Sequence, residues 1–299
     1  MDTLENLKRK IGSAGELKSV VKTMKAMAAS NIGQFEMAAT ALNDYYNTVS
    51  LGMIAYFSQE KNYSITQPQK NDKGKSICAL VFGSDQGLVG QFNEELSDFT
   101  TKSLNEFSEK KVVWAVGKRM QDRLADSDFI KTKLFPVPNS VSAITVLVGN
   151  ILIDIETARE NGEINEFYIF NNRLKIGTGY EPVSLRLLPL DYKWERDLKN
   201  KKWPTNKLPQ IVGGIKPTLF ALIKEYLFVS IYKACAESLA SENESRLEAM
   251  QRAEKNIDEI ENELNNKYHQ LRQSSIDEEL FDVVSGFEAL KKNKNLPLK

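Results

Sequence analysis

Apolar residues recur at three- and four-residue spacing from the start of the chain: Leu4, Leu7, Ile11, Ala14, Val21, Ala28, Ile32, Phe35, Ala39, Leu42, Tyr46, Val49, Met53 and Tyr56. The phase is that of a heptad, and it predicts one long helix over about residues 3–58. Lys18 and Lys25 interrupt the stripe, and Gly12 and Gly15 loosen its first turns. The far end repeats the pattern with Met250, Ala253, Ile257, Ile260, Leu264 and Leu271. Residues 218–285 contain neither glycine nor proline. At about 1.5 Å per residue this predicts a second helix of roughly 100 Å. Its phase slips at SSIDEE and resumes as Ile276, Leu280, Val283, Phe287 and Leu290. That five-residue hop turns the apolar face by about 140°. Two long helices with matching seams predict an antiparallel pair, with the last turns of the tail helix projecting past its partner.

The middle of the chain has a different texture. SICALVFG, KVVWAVG and NEFYIFNN are short β-branched or aromatic runs and read as strands. NEELSDFTTKSLNEFSEK and SAITVLVGNILIDIETAREN read as helices between them. That alternation implies a parallel sheet with crossover helices, closed by YEPVSLRLLPL as a further strand. The expected fold class is α/β plus long helices, with an antiparallel coiled coil of the N- and C-terminal helices and an α/β domain inserted between them. The expected boundaries are 1–60 for the first helix, 75–190 for the α/β domain, 191–216 for a connector and 217–292 for the tail helix. KNYSITQPQKNDKGK serves as the opposite connector.

Charge narrows the function classes. Lysine plus arginine and aspartate plus glutamate each total 40, so no cationic excess displaces counterions from a nucleic acid. Cys78 and Cys235 form no C-x-x-C pair, which suits a reducing compartment. MDTLENLKRKIG lacks the apolar core of a secretory signal, and it is not an acid-free transit peptide. AITVLVGNILIDI is read as too short to span a bilayer, so direct membrane insertion is not expected. Any membrane association would run through a partner.

Candidate chemistry is sparse. FGSDQGLVGQF carries Gly83, Gly87 and Gly90, which is not the G-x-G-x-x-G spacing. A turn feeding a crossover helix is preferred over a nucleotide loop. Lys73-Gly74-Lys75-Ser76 mimics the end of a P-loop but precedes the strand, and is read as a solvated loop. His269 is the only histidine, which disfavours a histidine-based metal site or catalytic triad. Glu259, Glu261 and Glu263, and Asp277, Glu278 and Glu279, are read as solvated helix faces. No catalytic residue, cofactor or metal is expected.

Three stretches resemble one family. VVKTMKAMAAS at 20–30, GSDQGLVGQFN at 83–93, and ESLASENESRLEAM with LRQSSIDEELFDVVSGFEAL near the end are similar to motifs of the gamma subunit of F-type ATP synthases. The resemblance covers nearly the whole chain. It implies a Rossmann-like α/β domain, no catalysis by the chain itself, and a role as central rotor shaft. The implied partners are the alpha and beta subunits of the catalytic hexamer, the epsilon subunit and the membrane c-ring, with no nucleic acid. The implied site is the inner, cytoplasmic face of a bacterial plasma membrane. Residue by residue, it assigns hexamer contact to Met24, Lys25, Arg246, Gln273, Ser275 and Glu279. It makes Leu280, Val283, Val284, Phe287 and Leu290 the bearing tip. Asn31 and Asp277 depart from the family pattern. The rival readings are a non-enzymatic coiled-coil scaffold with an α/β head, which explains the helices but not the ordered motifs, and a nucleotide-binding enzyme built on the α/β segment.

Overall fold

The computed structural model describes residues 3–59, 76–125, 129, 131–190 and 214–294, together with 196, 198, 203, 205, 207 and 210–212. The connector KNYSITQPQKNDKGK, including Lys73, Gly74 and Lys75, lies outside them, as does most of the connector at 191–216. The elements are α1 (Leu4–Gln59), β1 (Ser76–Phe82), α2 (Phe92–Asn105), β2 (Lys110–Val116), α3 (Lys118–Ala125), β3 (Lys131–Phe135), α4 (Val141–Glu160), β4 (Glu166–Leu174), β5 (Tyr180–Leu188) and α5 (Ile215–Lys294). Contacts gather them into two units, Met27–Ala249 and Met1–Ala26 with Met250–Lys299.

The larger unit is built on a sheet of order β3-β2-β1-β4-β5. β1, β2, β3 and β4 are parallel, and α2, α3 and α4 make the crossovers. All seven residues of β1 are buried. Ile77, Ala79 and Val81 pack with Leu96 and Leu104 of α2 and Met120 and Leu124 of α3. Cys78, Leu80 and Phe82 join the core with α4, the end of α1 and the start of α5. Both faces are covered, so β1 reads as an unbroken apolar run. Burial pushes the Cys78 and Cys235 thiols up, away from the reactive thiolate.

Three details differ from the sequence reading. β5 runs antiparallel to β4, because the link between them is too short for a crossover. Gly177 and Gly179 turn that link at φ 115° and 80°, a region open to glycine. β3 and α3 are additional elements. KTKLF is a short edge strand carrying lysines, which gives little hydrophobic signal. Its Lys133 Nζ lies 5.4 Å from the Trp114 ring centre and pairs with Asp154. Finally, α4 has 20 residues and contains an 18-residue window of mean hydropathy 1.6, long and apolar enough by length and composition to cross a membrane. The expectation that this run is too short is therefore corrected. Its apolar stripe of Ile144, Leu147, Val148, Ile151 and Ile155 is spent on the sheet, so it is a core helix.

In the smaller unit, segments of α1 and α5 pair antiparallel. The Lys18 ammonium lies 2.7 Å from both Asp258 and Glu261, and Lys25 lies 2.6 Å from Glu254. The two lysines are one heptad apart, as are Glu254 and Glu261. Asp258 first, and then Glu261, hold the Lys18 ammonium above its ordinary range. The seam on α5 therefore runs through Glu254, Ile257, Asp258, Glu261, Leu264 and Tyr268, which are all partly buried. Two expectations are corrected here. Ile260 and Leu271 lie outside the seam at 51% and 36% exposure, and Glu261 is an ion-pair partner rather than a solvated charge. Lysines in the stripe require acids opposite, and hydropathy alone places isoleucine there.

The same heptad register sets Tyr268 against Ile11 and Ser275 against Leu4, the first residue of α1. Beyond Ser275, α1 offers no further turn. Ile276, Leu280, Phe281, Val283, Val284 and Phe287 are exposed there.

Ion pairs at partly exposed positions are screened by salt. Raising ionic strength is expected to speed amide exchange over 14–26 and 250–264 while sparing the apolar end of α1 at 49–57. Lys25→Ala is expected to cost the paired segments about 0.5–1 kcal/mol of local protection. An equal salt response in both regions would contradict this seam.

Candidate functional site at the carboxyl edge of the sheet

The chain leaves β1 toward β2 on one side and returns from β3 to β4 on the other. The strand order therefore reverses between β1 and β4. In open α/β sheets, ligands bind at the carboxyl ends of the strands at such a point. Here that crevice is occupied by the chain's own α5.

The loop after β1 is braced internally. Ser84 N donates to Asn93 Oδ1 (3.1 Å), and Asn93 Nδ2 donates back to Ser84 Oγ (2.8 Å). The Asp85 carboxylate accepts from Lys118 N (2.7 Å) at the start of α3 and from Val137 N (3.0 Å) after β3. A Cβ on Gly83 would stand 2.3 Å from Met120 Cβ, so only glycine lets α3 approach. The glycine turn thus feeds α2, as read from the sequence, and also shapes a dock.

The dock receives one face of α5. Ser238 Oγ donates to the Phe82 carbonyl at the end of β1 (3.0 Å). Ser245 Oγ donates to the Val89 carbonyl in the loop (2.5 Å). Asn171 Nδ2 of β4 donates to Glu237 Oε2 (3.4 Å), and the neighbouring Asn172 Nδ2 donates to the Phe92 carbonyl (3.1 Å). On the same stretch of α5, Arg246 Nη2 lies 2.6 Å from Glu242 Oε1, with side chains only 12% and 7% exposed. Burial pushes the Glu242 carboxyl up and the nearby Asp85 charge adds to this, while the Arg246 guanidinium opposes both. Asn243 Oδ1 accepts from Arg246 Nη1 and from Asn31 Nδ2 of α1, both at 3.4 Å.

This arrangement is mechanical in character. Glu242 is committed to Arg246, and among the described residues no group of His, Cys, Asp and Glu is placed to hold a metal ion. The Ser238 and Ser245 hydroxyls are spent as donors to main-chain carbonyls.

The residues singled out from the sequence are scattered. Met24 and Lys25 are partly buried on α1, with Lys25 paired to Glu254. Arg246 lies in the dock. Ser275 is partly buried on α5, while Gln273 and Glu279 are exposed. Leu280, Val283, Val284 and Phe287 are exposed, and the side chain of Leu290 lies outside the described residues. Sequence reasoning missed Asp85, Glu237, Ser238 and Ser245 as joint residues. For Glu237, Ser238 and Ser245 the signal is the largely polar run ESLASENES, where a core-packed helix would carry leucines.

Gly83→Ala is expected to destabilise the larger unit by about 1–3 kcal/mol, because its Cβ overlaps another Cβ rather than a flexible tip. Denaturant unfolding with an unchanged midpoint would show that the loop yields freely.

Comparison with known proteins places this architecture. A family model described as ATP synthase matches residues 3–290. The chain is 24% identical over 294 residues to the ATP synthase gamma chain of Ruminiclostridium cellulolyticum, covering 97% of this chain and 99% of that one. It is 27% identical over 301 residues to the gamma chain of Lachnoclostridium phytofermentans, covering 97% and 100%. Its fold matches a chain in the Euglena gracilis mitochondrial ATP synthase OSCP/F1/c-ring structure with TM-score 0.66 at 17% identity, covering 99% and 97%. It also matches a chain in the rotor of the same enzyme with TM-score 0.61 at 14% identity, covering 91% and 98%. With a match running over nearly its full length, the chain belongs to the ATP synthase family, among its gamma chains.

Proposed function

We propose that this chain is the central stalk of an F-type ATP synthase, carrying rotation between an ion-driven membrane ring and a catalytic hexamer of alpha and beta subunits. It is a non-catalytic member of a membrane-associated complex. The observation that supports the rotary role best is the end of α5. Six apolar residues between Ile276 and Phe287 stand exposed on turns for which α1 offers no partner. An apolar contact is non-directional, so it bears on a surrounding ring without locking at one angle.

In this reading, 1–60 and 217–292 are the arms of the coiled coil, 75–190 is the foot and 191–216 the connector. The foot meets the c-ring and the epsilon subunit at the inner face of a bacterial plasma membrane. Gln273, Ser275 and Glu279 meet the hexamer, with Met24 on the companion helix. Lys25 and Arg246 take part by exchanging Glu254 and Glu242 for acids of the hexamer, since each already holds an internal partner.

The test is affinity isolation of the tagged chain from native membranes, with subunit stoichiometry by intact mass. One copy per three alpha and three beta subunits is expected. Removing 280–299 is expected to lower ATP-driven ion pumping while amide protection of β1, β2 and β4 persists. Recovery as a homodimer, or without a hexamer, would favour a coiled-coil scaffold instead.

A further inference from the structure

Within the larger unit, α5 meets the sheet in two ways. Leu227, Ile231, Cys235 and Leu239 pack in the core against the sheet and α4. Apolar packing resists separation but is indifferent to small sliding. Hydrogen bonds are directional and resist sliding. Four of them run from this face of α5 to the α/β elements. They are Ser238 to Phe82 O (3.0 Å), Ser245 to Val89 O (2.5 Å), Asn171 to Glu237 (3.4 Å) and Tyr232 OH to Val141 O (3.4 Å). The two serine bonds are the shorter pair. They end on main-chain carbonyls of β1 and its loop, and that loop is anchored through Asp85 to α3 and to the segment after β3.

We propose that Ser238 and Ser245 are positioning residues that fix the angular register between the sheet and α5, so that torque passes sideways through their hydroxyls into the helix. Ser238 and Ser245 stand seven residues apart, two helical turns, so they hold the helix at two levels and oppose its rotation about its own axis. Ser241, midway on the same helix, donates instead to Glu237 O within the helix and takes no part in the joint. The proposal rests on the rotary reading above.

The experiment uses the assembled membrane complex held by its hexamer. A rotation probe is attached to the α/β unit through Ser142→Cys on the exposed face of α4. The angular variance of the paused probe is read in each variant. Variance scales inversely with stiffness. Removing the two shorter of four directional bonds by Ser238→Ala with Ser245→Ala is therefore expected to raise it at least about two-fold, the value for equal bonds. Ser245→Ala alone is expected to raise it by about a third on the same argument, and serves if the double variant fails to assemble. Ser241→Ala removes an equally buried hydroxyl and is expected to leave the variance unchanged. Wild-type variance in the double variant, or an equal rise in Ser241→Ala, would overturn the proposal while leaving the rotary reading intact. A probe on the unsubstituted complex that never turns with ATP would overturn both.

Discussion

The carboxyl edge of a parallel sheet presents main-chain carbonyls that need donors once they are buried. In many sheets of this kind the partner is a bound ligand. In this chain the donors are hydroxyls of its own tail helix, set where a core-packed helix would carry leucines. The rest of the larger unit follows from that choice. The loop must be tight, so Gly83 stands against Met120. It must also be rigid, so Ser84, Asp85 and Asn93 brace it. The helix must stay polar along one short face, so Glu242 and Arg246 are buried there together. A helix docked in this way supplies donors from the chain itself to the carbonyls of Phe82 and Val89 at the switch point.

The smaller unit solves a different problem with different forces. Its seam carries Lys18 and Lys25 opposite acids of α5, while Leu7, Ala14 and Met250 supply the apolar contact. Charged seam pairs specify register and direction at some cost in stability. A pair of helices that must stay aligned while turning benefits from a defined register more than from maximal burial. Among the described side chains, those at 276–288 are exposed, six of them large and apolar, the kind of surface that allows contact without angular preference.

Much of this was legible in the chain. β1 stood out because both of its faces are buried, and the helices stood out because their heptads persist. β3 did not, because an edge strand of five residues with lysines has no apolar pattern to read. The direction of β5 depended on the length of a turn rather than on its own residues. The seam was misread at Ile260 because its true occupant, Glu261, is explained only by a lysine 243 positions away. The joint was hidden for the same reason: Ser238 and Ser245 gain meaning from carbonyls of residues 156 positions distant. The contacts proposed for Gln273 and Glu279 rest on family resemblance, since nothing within the chain selects those two residues.

If this chain carries rotation, turnover of the complex requires it to turn inside the hexamer. The direct measurement is ATP hydrolysis by the intact complex carrying Leu280→Cys, disulfide-linked to a cysteine placed on the facing surface of one hexamer subunit. Turnover is expected to stop when the link forms and to return when it is reduced. Hydrolysis and ion pumping continuing at full rate with the link in place would contradict the rotary reading.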